Sequence, residues 1–346
     1  MESKLPEYPS FHELPLQRNG PRGNAWGLWG LEDQIGTLNH LKEDVVARAA
    51  KEEIRSGKRV SLNWTLTGSS YPTLGRKTLE IKLNNKAPLK IAHDDETYSL
   101  DSPKRDKTDA QSSGPSTLNA ARSGMDLGIM PIKQKKLLYY MGRKAAEFAE
   151  SSVPNGIQHI AEVGIAGRGI FIDWYKWSQQ NGRSVNAMSA HGVSFSELLG
   201  VLKSQNLTER DIRPGDIIII RFGYISQYED LSDEKRARLD ELYRKQKPEN
   251  IGIEPSEKLL KFLWENKVAA VAGDTRSFEV WPCSQTQWHL HEWLLAGWGM
   301  PIGELFNLEN LSRACEEANR YTFFFTSSPM NAPGAVASPP NALAFF

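Results

Sequence analysis

Two rhythms of hydrophobic spacing divide the chain. Val45, Val46, Ala49, Ala50 and Ile54 recur at helical spacing, which predicts a helix over 41–56 that stops at Gly57. Arg59 to Leu66 alternates at period two and reads as a strand. Helical spacing returns over 193–202, with Ser194 as cap and Glu197 three residues later, and over 255–266, with Leu259, Leu260 and Leu263 turned inward. The unbroken run Ile217-Ile-Ile-Ile220 follows the turn Arg213-Pro-Gly-Asp216 and predicts a strand covered on both faces. Val268 to Gly273 is a second buried strand, closed by Asp274, and Tyr321 to Thr326 reads as the closing strand. Glycines around 164–169 permit a close approach before Ile170-Phe-Ile-Asp173 enters a sheet. A helical stretch is expected over 143–151, and the charge-dense residues 232–247 fit a solvated helix face. The expected class is α/β, with a mixed central sheet.

The pattern breaks most informatively in Leu290-His-Glu-Trp-Leu-Leu-Ala-Gly-Trp-Gly-Met-Pro-Ile-Gly-Glu-Leu-Phe306. Leu290, Trp293 and Leu294 start a helix, which Gly297, Gly299 and Pro301 end. On one continuous helix His291 and Glu304 would face different sides; the break lets the chain turn back. An imidazole and a carboxylate then converge on one point, as a divalent metal site needs. Spacing alone leaves open a plain alternative, with the histidine capping a helix and the glutamate exposed.

Composition narrows the partners. Lys plus Arg equals Asp plus Glu, so the net charge is zero and the basic patch of a nucleic-acid binder is not expected. Only Cys283 and Cys315 occur, without a CxxC, so neither a disulfide framework nor a cysteine zinc site is expected. No leader-like apolar segment and no run of eighteen apolar residues is present, which points to a cytoplasmic protein without a membrane partner. Ten tryptophans suit a site with flat apolar walls for a small molecule. Residues 1–25 read as an arm without its own core, and 26–346 as one domain.

The signature around His291 resembles the C-terminal motif of the cyclase family of metal-dependent hydrolases, which includes kynurenine formamidase and isatin hydrolase. His291, Leu294, Leu295, Gly299, Glu304 and Asn307-Leu308 occupy its places. Trp26-Gly-Leu-Trp29 with Asp33, Gly36-Thr-Leu-Asn39, is similar to the N-terminal segment that helps cover the substrate, although two tryptophans filling core would look the same. Gly273-Asp274 with Ser277-Phe-Glu279 and the tail from Pro329 also fit, and the match is nearest to the fungal-type branch. The resemblance covers roughly 24–100 and 135–346. It implies a swivelling β/β/α fold, a dimer or tetramer, and zinc or manganese. The implied activity is that of an arylformamidase or isatin hydrolase, of the kind found in tryptophan catabolism. His291 and Glu304 would be metal ligands or acid–base groups, and Trp26, Trp29, Asp274 and Ser277 would edge the substrate.

One part of the motif set is missing. The fungal-type branch carries a Ser-Gln-Trp-Asp-Gly-x-x-His segment, whereas this chain has Gly114 to Pro131 with Asp126 as its sole acidic residue and no histidine. Residues 101–132 therefore read as atypical and disorder-prone. Read two bases out of frame, codons for Arg122 to Pro131 can spell Gln-Trp-Asp-Gly-Phe-Gly-His-Tyr-Ala, the Gly and Ala being forced by Met125 and Met130. This is our hypothesis of a frameshifted, mis-spliced or misassigned stretch; transcript sequence incompatible with that reading ends it. Two functions follow: a metal-dependent hydrolase completed by His93, Asp94, Asp95 or Asp126, or a catalytically inactive or defective member that has lost its central ligands.

Overall fold

The computed structural model describes residues 8–68, 80–85, 92–97, 117–119, 125–126, 137–144, 147, 154–245 and 248–346. Four parallel strands form the middle of a mixed sheet: Ile165–Ile172, Ile217–Ile220, Ala270–Gly273 and Ile302–Glu304. Thr322–Ser327, Ala342–Phe345 and Arg59–Ser61 extend it antiparallel on one side. Thr117–Asn119 and then Ala337–Ser338 extend it antiparallel on the other.

The isoleucine run shows why the sheet sits where it does. Alternate side chains of a strand point to opposite faces. Ile218 and Ile220 join Ile170, Ile172 and Val271 on one face, and Ile217 and Ile219 join Phe171, Ala270 and Ala272 on the other. None of the four isoleucines is more than 2% exposed. Each such burial stabilises the fold by about 1.5–3 kcal/mol. Helices Phe195–Ser204 and Glu257–Glu265 cover the first face, and Ile157–Val163 and Glu309–Ala318 the second.

Local chemistry sets the helix ends. The Ser194 hydroxyl accepts from Glu197 N (3.3 Å) while the Glu197 carboxylate accepts from Ser194 N (2.9 Å), a reciprocal cap that starts Phe195–Ser204. Ser256 Oγ accepts from Leu259 N at 3.3 Å and starts Glu257–Glu265. The helix expected over 41–56 spans Glu43–Glu53, and Asp233–Lys245 forms within the charged segment.

Three expectations change. The strand expected over 59–66 is only Arg59–Ser61, because the chain leaves the sheet toward Trp64, whose indole donates to Glu229 at 2.7 Å. Thr322–Ser327 does not close the sheet, since Ala342–Phe345 inserts between it and Arg59–Ser61. Arg143 has extended backbone (φ −63°, ψ 150°) rather than starting a helix, and residues 145–146 and 148–151 of that predicted stretch lie outside the described residues. Residues 8–25 have no separate core but join the main one. Phe11 is 5% exposed and stacks on Trp293 (5.7 Å between centroids), and Trp264 Nε1 donates to the Pro9 carbonyl at 2.8 Å. Among the described residues no helix is long and apolar enough to cross a membrane.

Candidate active site

The parallel strands point their C-terminal ends one way, and Asp173, Arg221, Asp274 and Glu304 stand at that edge. Such an edge is where open α/β sheets hold their sites. Three of these groups brace the edge. Arg221 bonds Asp173 at 2.9 Å and Glu309 at 2.6 Å. The Asp274 carboxylate accepts the backbone N–H groups of Phe222 (2.7 Å), Gly223 (2.8 Å) and Tyr224 (3.0 Å). Burial pushes its pKa up to about 7, against the pull of those N–H groups and of Arg221. Ser277 is also engaged, its hydroxyl donating to the Glu279 carbonyl at 2.8 Å beside Asn250.

Glu304 has a different neighbour. His291–Trp298 is a π-helix, a geometry concentrated at functional sites, and Gly299 ends it in the left-handed region at φ 65°. The chain then returns through Ile302–Glu304, and His291 Nε2 comes within 3.3 Å of Glu304 Oε1. On its other side, Nδ1 lies 2.8 Å from both oxygens of Glu279. One imidazole is therefore clasped between two carboxylates that are 0% and 3% exposed, while the ring itself keeps 17% exposure. Burial opposes its charge, but Glu279 and Glu304 outweigh it and hold its pKa well above the usual histidine range. For Glu279 burial works upward, and His291 with His289 carries the pKa below the usual value.

A second imidazole shares Glu279. His289 Nε2 is 3.3 Å from Glu279 Oε1, and its ring stacks on His291 at 5.9 Å. Burial, first, and the neighbouring His291 lower its pKa, against the pull of Glu279. The sequence reading missed both groups. Their signals were Glu279 closing the Ser277-Phe-Glu run and the His289-Leu-His291 alternation. Residues next to both carboxylates hold positive φ, Phe278 at 56° and Leu305 at 53°. Such backbone costs about 1–3 kcal/mol per residue and gathers at sites where geometry is over-determined.

The N-terminal segment buttresses this centre. Trp26 is 7% exposed, and its indole donates to the Ala296 carbonyl at 2.8 Å. Trp298 donates to the Gly23 carbonyl at 2.8 Å in return. Trp29 is half-buried with its ring edge-on to His40 at 5.6 Å. Asp33 accepts from Gly36 N (2.8 Å), Asn39 Nδ2 (2.7 Å) and Tyr140 Oη (2.8 Å), and the turn so fixed presses Gly36 on Gly299.

Among the described residues no group of three or more His, Cys, Asp or Glu side chains is arranged to hold a metal ion. His291 and Glu304 offer two donors, short of the three that even an open site uses, and both ring nitrogens already face carboxylates. The described donors alone do not fit a metal; what they can supply is proton transfer. The side chains of His93, Asp94, Asp95 and Asp126 lie outside the described residues. In backbone terms, Thr117 pairs with Glu304, and Met125–Asp126 runs alongside the π-helix.

No family profile matches the chain, and no curated protein matches it either. Solved structures do share its fold. A novel cyclase superposes with a TM-score of 0.73 at 24% identity, covering 93% of this chain and 99% of its own. Isatin hydrolase A from Ralstonia solanacearum gives 0.50 at 14% identity over 83% of this chain and 91% of its own. An isatin hydrolase bound to the product analogue thioisatinate gives 0.52 at 11% identity over 86% and 94%. At these identities the likeness is one of fold.

Proposed function

We propose that the protein hydrolyses a small aryl or cyclic amide, as an arylformamidase or isatin hydrolase does, with His291 as its proton-handling centre. The observation that carries this is the clasp: both oxygens of Glu279 at 2.8 Å from Nδ1 and Glu304 at 3.3 Å from Nε2, on a fold shared with isatin hydrolases. Amide hydrolysis needs a proton taken from water as it attacks the carbonyl carbon, and a proton given to the departing nitrogen. Glu304 is the base for the first, and the imidazolium Nε2–H the acid for the second. Glu279 fixes the ring and stabilises its charge. Trp26, Trp29, Asp274 and Ser277 belong to the substrate side of this reading. A cytoplasmic homo-oligomer of the swivelling β/β/α type, taking no nucleic acid, goes with it.

Zinc or manganese belongs to the resemblance, and when bound such an ion would supply a hydroxide at neutral pH. The two donors His291 and Glu304 support a second reading, an inactive member whose Gly114–Pro131 stretch no longer completes the set. The test is purified protein assayed on aryl formamides and on isatin, with and without added zinc or manganese, with bound metal measured by mass spectrometry. Turnover of either substrate class is expected. A folded protein that cleaves neither under any of these conditions overturns the hydrolase reading and leaves the inactive one.

A further inference from the structure

Tyr8 anchors the N-terminal segment against the body of the protein. Its ring stacks on Trp264 (4.8 Å between centroids) and stands edge-on to His40 at 5.2 Å, and Lys267 Nζ lies 4.7 Å from its centroid. Farther along, Phe11 stacks on Trp293. The body links these two anchors with rings of its own: Trp264 lies 5.0 Å from Trp298, which stands edge-on to Trp293 at 6.2 Å. Residues 8–14 therefore cross from the helix Glu257–Glu265 to the π-helix that carries His291, gripping each by one ring. The Trp264 indole is buried beneath this crossing and donates to the Pro9 carbonyl at 2.8 Å.

The Tyr8 anchor leaves polar atoms without partners. His40 Nε2 and the Tyr8 hydroxyl are both buried, and neither has a hydrogen-bond partner among the described residues. Trp29 closes on the same imidazole edge-on at 5.6 Å. A neutral ring tolerates such walls, whereas an imidazolium needs an acceptor or water at each N–H. The charged groups bearing on His40 are Lys267 and Lys42, both cations. The titratable group facing it from the N-terminal segment is Tyr8, whose own pKa burial raises. Burial, with the two lysines, pushes the His40 pKa down to about 4.

We propose that residues 8–14 are an acid-sensitive strap, latched by Tyr8 on neutral His40, whose release uncovers the π-helix beside the candidate centre. Opening the strap lifts Tyr8 from the imidazole, admits water to Nε2 and lets the ring take a proton that it cannot hold while covered. Closure is at full strength above the ordinary histidine value of 6.5. It weakens as pH falls toward 4, by up to about tenfold per unit. Glu13, which accepts from Ser10 N at 2.7 Å, has a lowered pKa, so its support is lost only below 4.5. His12 is exposed and lies 3.5 Å from Lys261, off the anchor. The strap works in this way whether or not the centre hydrolyses amides.

The test is hydrogen exchange of the full chain between pH 7 and 4.5, each rate divided by its intrinsic value at that pH. The Trp264 indole N–H and the Leu14 amide report the strap, and the amides of Ile217–Ile220 report the body. In wild type the opening constant of the strap should rise roughly fiftyfold across this range while the body stays protected. His40→Phe keeps a ring against Tyr8 but cannot titrate, and its strap should show no such rise. Should that variant fail to fold, NMR of the wild-type imidazole decides: a neutral His40 at pH 5 upholds the latch, and a charged one overturns it. The proposal is also overturned by a wild-type strap whose opening stays level, by a His40→Phe strap that loosens as wild type does, or by body amides that lose protection in parallel.

Discussion

Replacing Glu279 by Gln removes half of the clasp, together with the charge that His289 shares. The side chain is fully buried and keeps its shape, but the charge goes, and an NH2 group now competes to face Nδ1–H. A hydrogen bond to a charged group is worth about 1.5–3 kcal/mol, so a loss near 2 kcal/mol is expected where the pair is fully ionised. The pH window follows from the two shifts. The raised pKa of His291 contributes stability fully below the ordinary value of 6.5, and this is lost as pH climbs through the raised value. The lowered pKa of Glu279 contributes above the ordinary value of 4.5, and this is lost as pH falls through the lowered one. The pair therefore counts most between 4.5 and 6.5. Thermal unfolding of wild type and Glu279→Gln across pH 5 to 10 should show a deficit of roughly 3 °C at pH 5.5 that shrinks as pH rises. Imidazole NMR should show His291 titrating above the normal histidine range in wild type and dropping in the variant. A deficit that stays flat or grows with pH, or a His291 that titrates normally in wild type, refutes the clasp.

Other substitutions probe the frame that holds the centre. Asp274→Asn keeps one acceptor oxygen where three backbone N–H groups at 2.7–3.0 Å now converge, and should cost about 2–4 kcal/mol by denaturant titration. Because the folded pKa of Asp274 is raised to about 7, wild type should lose stability as pH climbs from 3.8 through 7, a slope the variant lacks. Gly36→Ala would place a Cβ 2.4 Å from the Trp298 carbonyl oxygen at φ +54°, so backbone strain and overpacking should together cost at least about 3 kcal/mol. Gly57→Ala, at φ +74° with nothing within 4 Å, serves as the control and should cost about 1–2 kcal/mol.

Much of the scaffold was legible in the chain because its signals are local. Ile217 to Ile220 announce a strand buried on both faces, and Ser194 with Glu197 announces a helix start, without help from distant residues. His291 and Glu304 were legible as a pair because the glycine-rich break between them permits a return. Glu279 was not, because its role depends on a loop that brings it back to a histidine twelve positions on. His289 was hidden by its backbone: at φ −52° and ψ 115° it stands off the helix, so its ring stacks on that of His291, which helical spacing would part. Trp26 read as a wall for a ligand, yet its indole N–H is spent on the Ala296 carbonyl, and that of Trp298 on the Gly23 carbonyl in return. Composition cannot reveal where a tryptophan donates.

The most direct measurement is the rate of amide hydrolysis by wild type and His291→Asn on an aryl formamide and on isatin, with folding checked by circular dichroism. Turnover by wild type and a loss of about a hundredfold or more in the variant are expected. A folded His291→Asn that hydrolyses either substrate at the wild-type rate contradicts the assignment of the proton-handling centre.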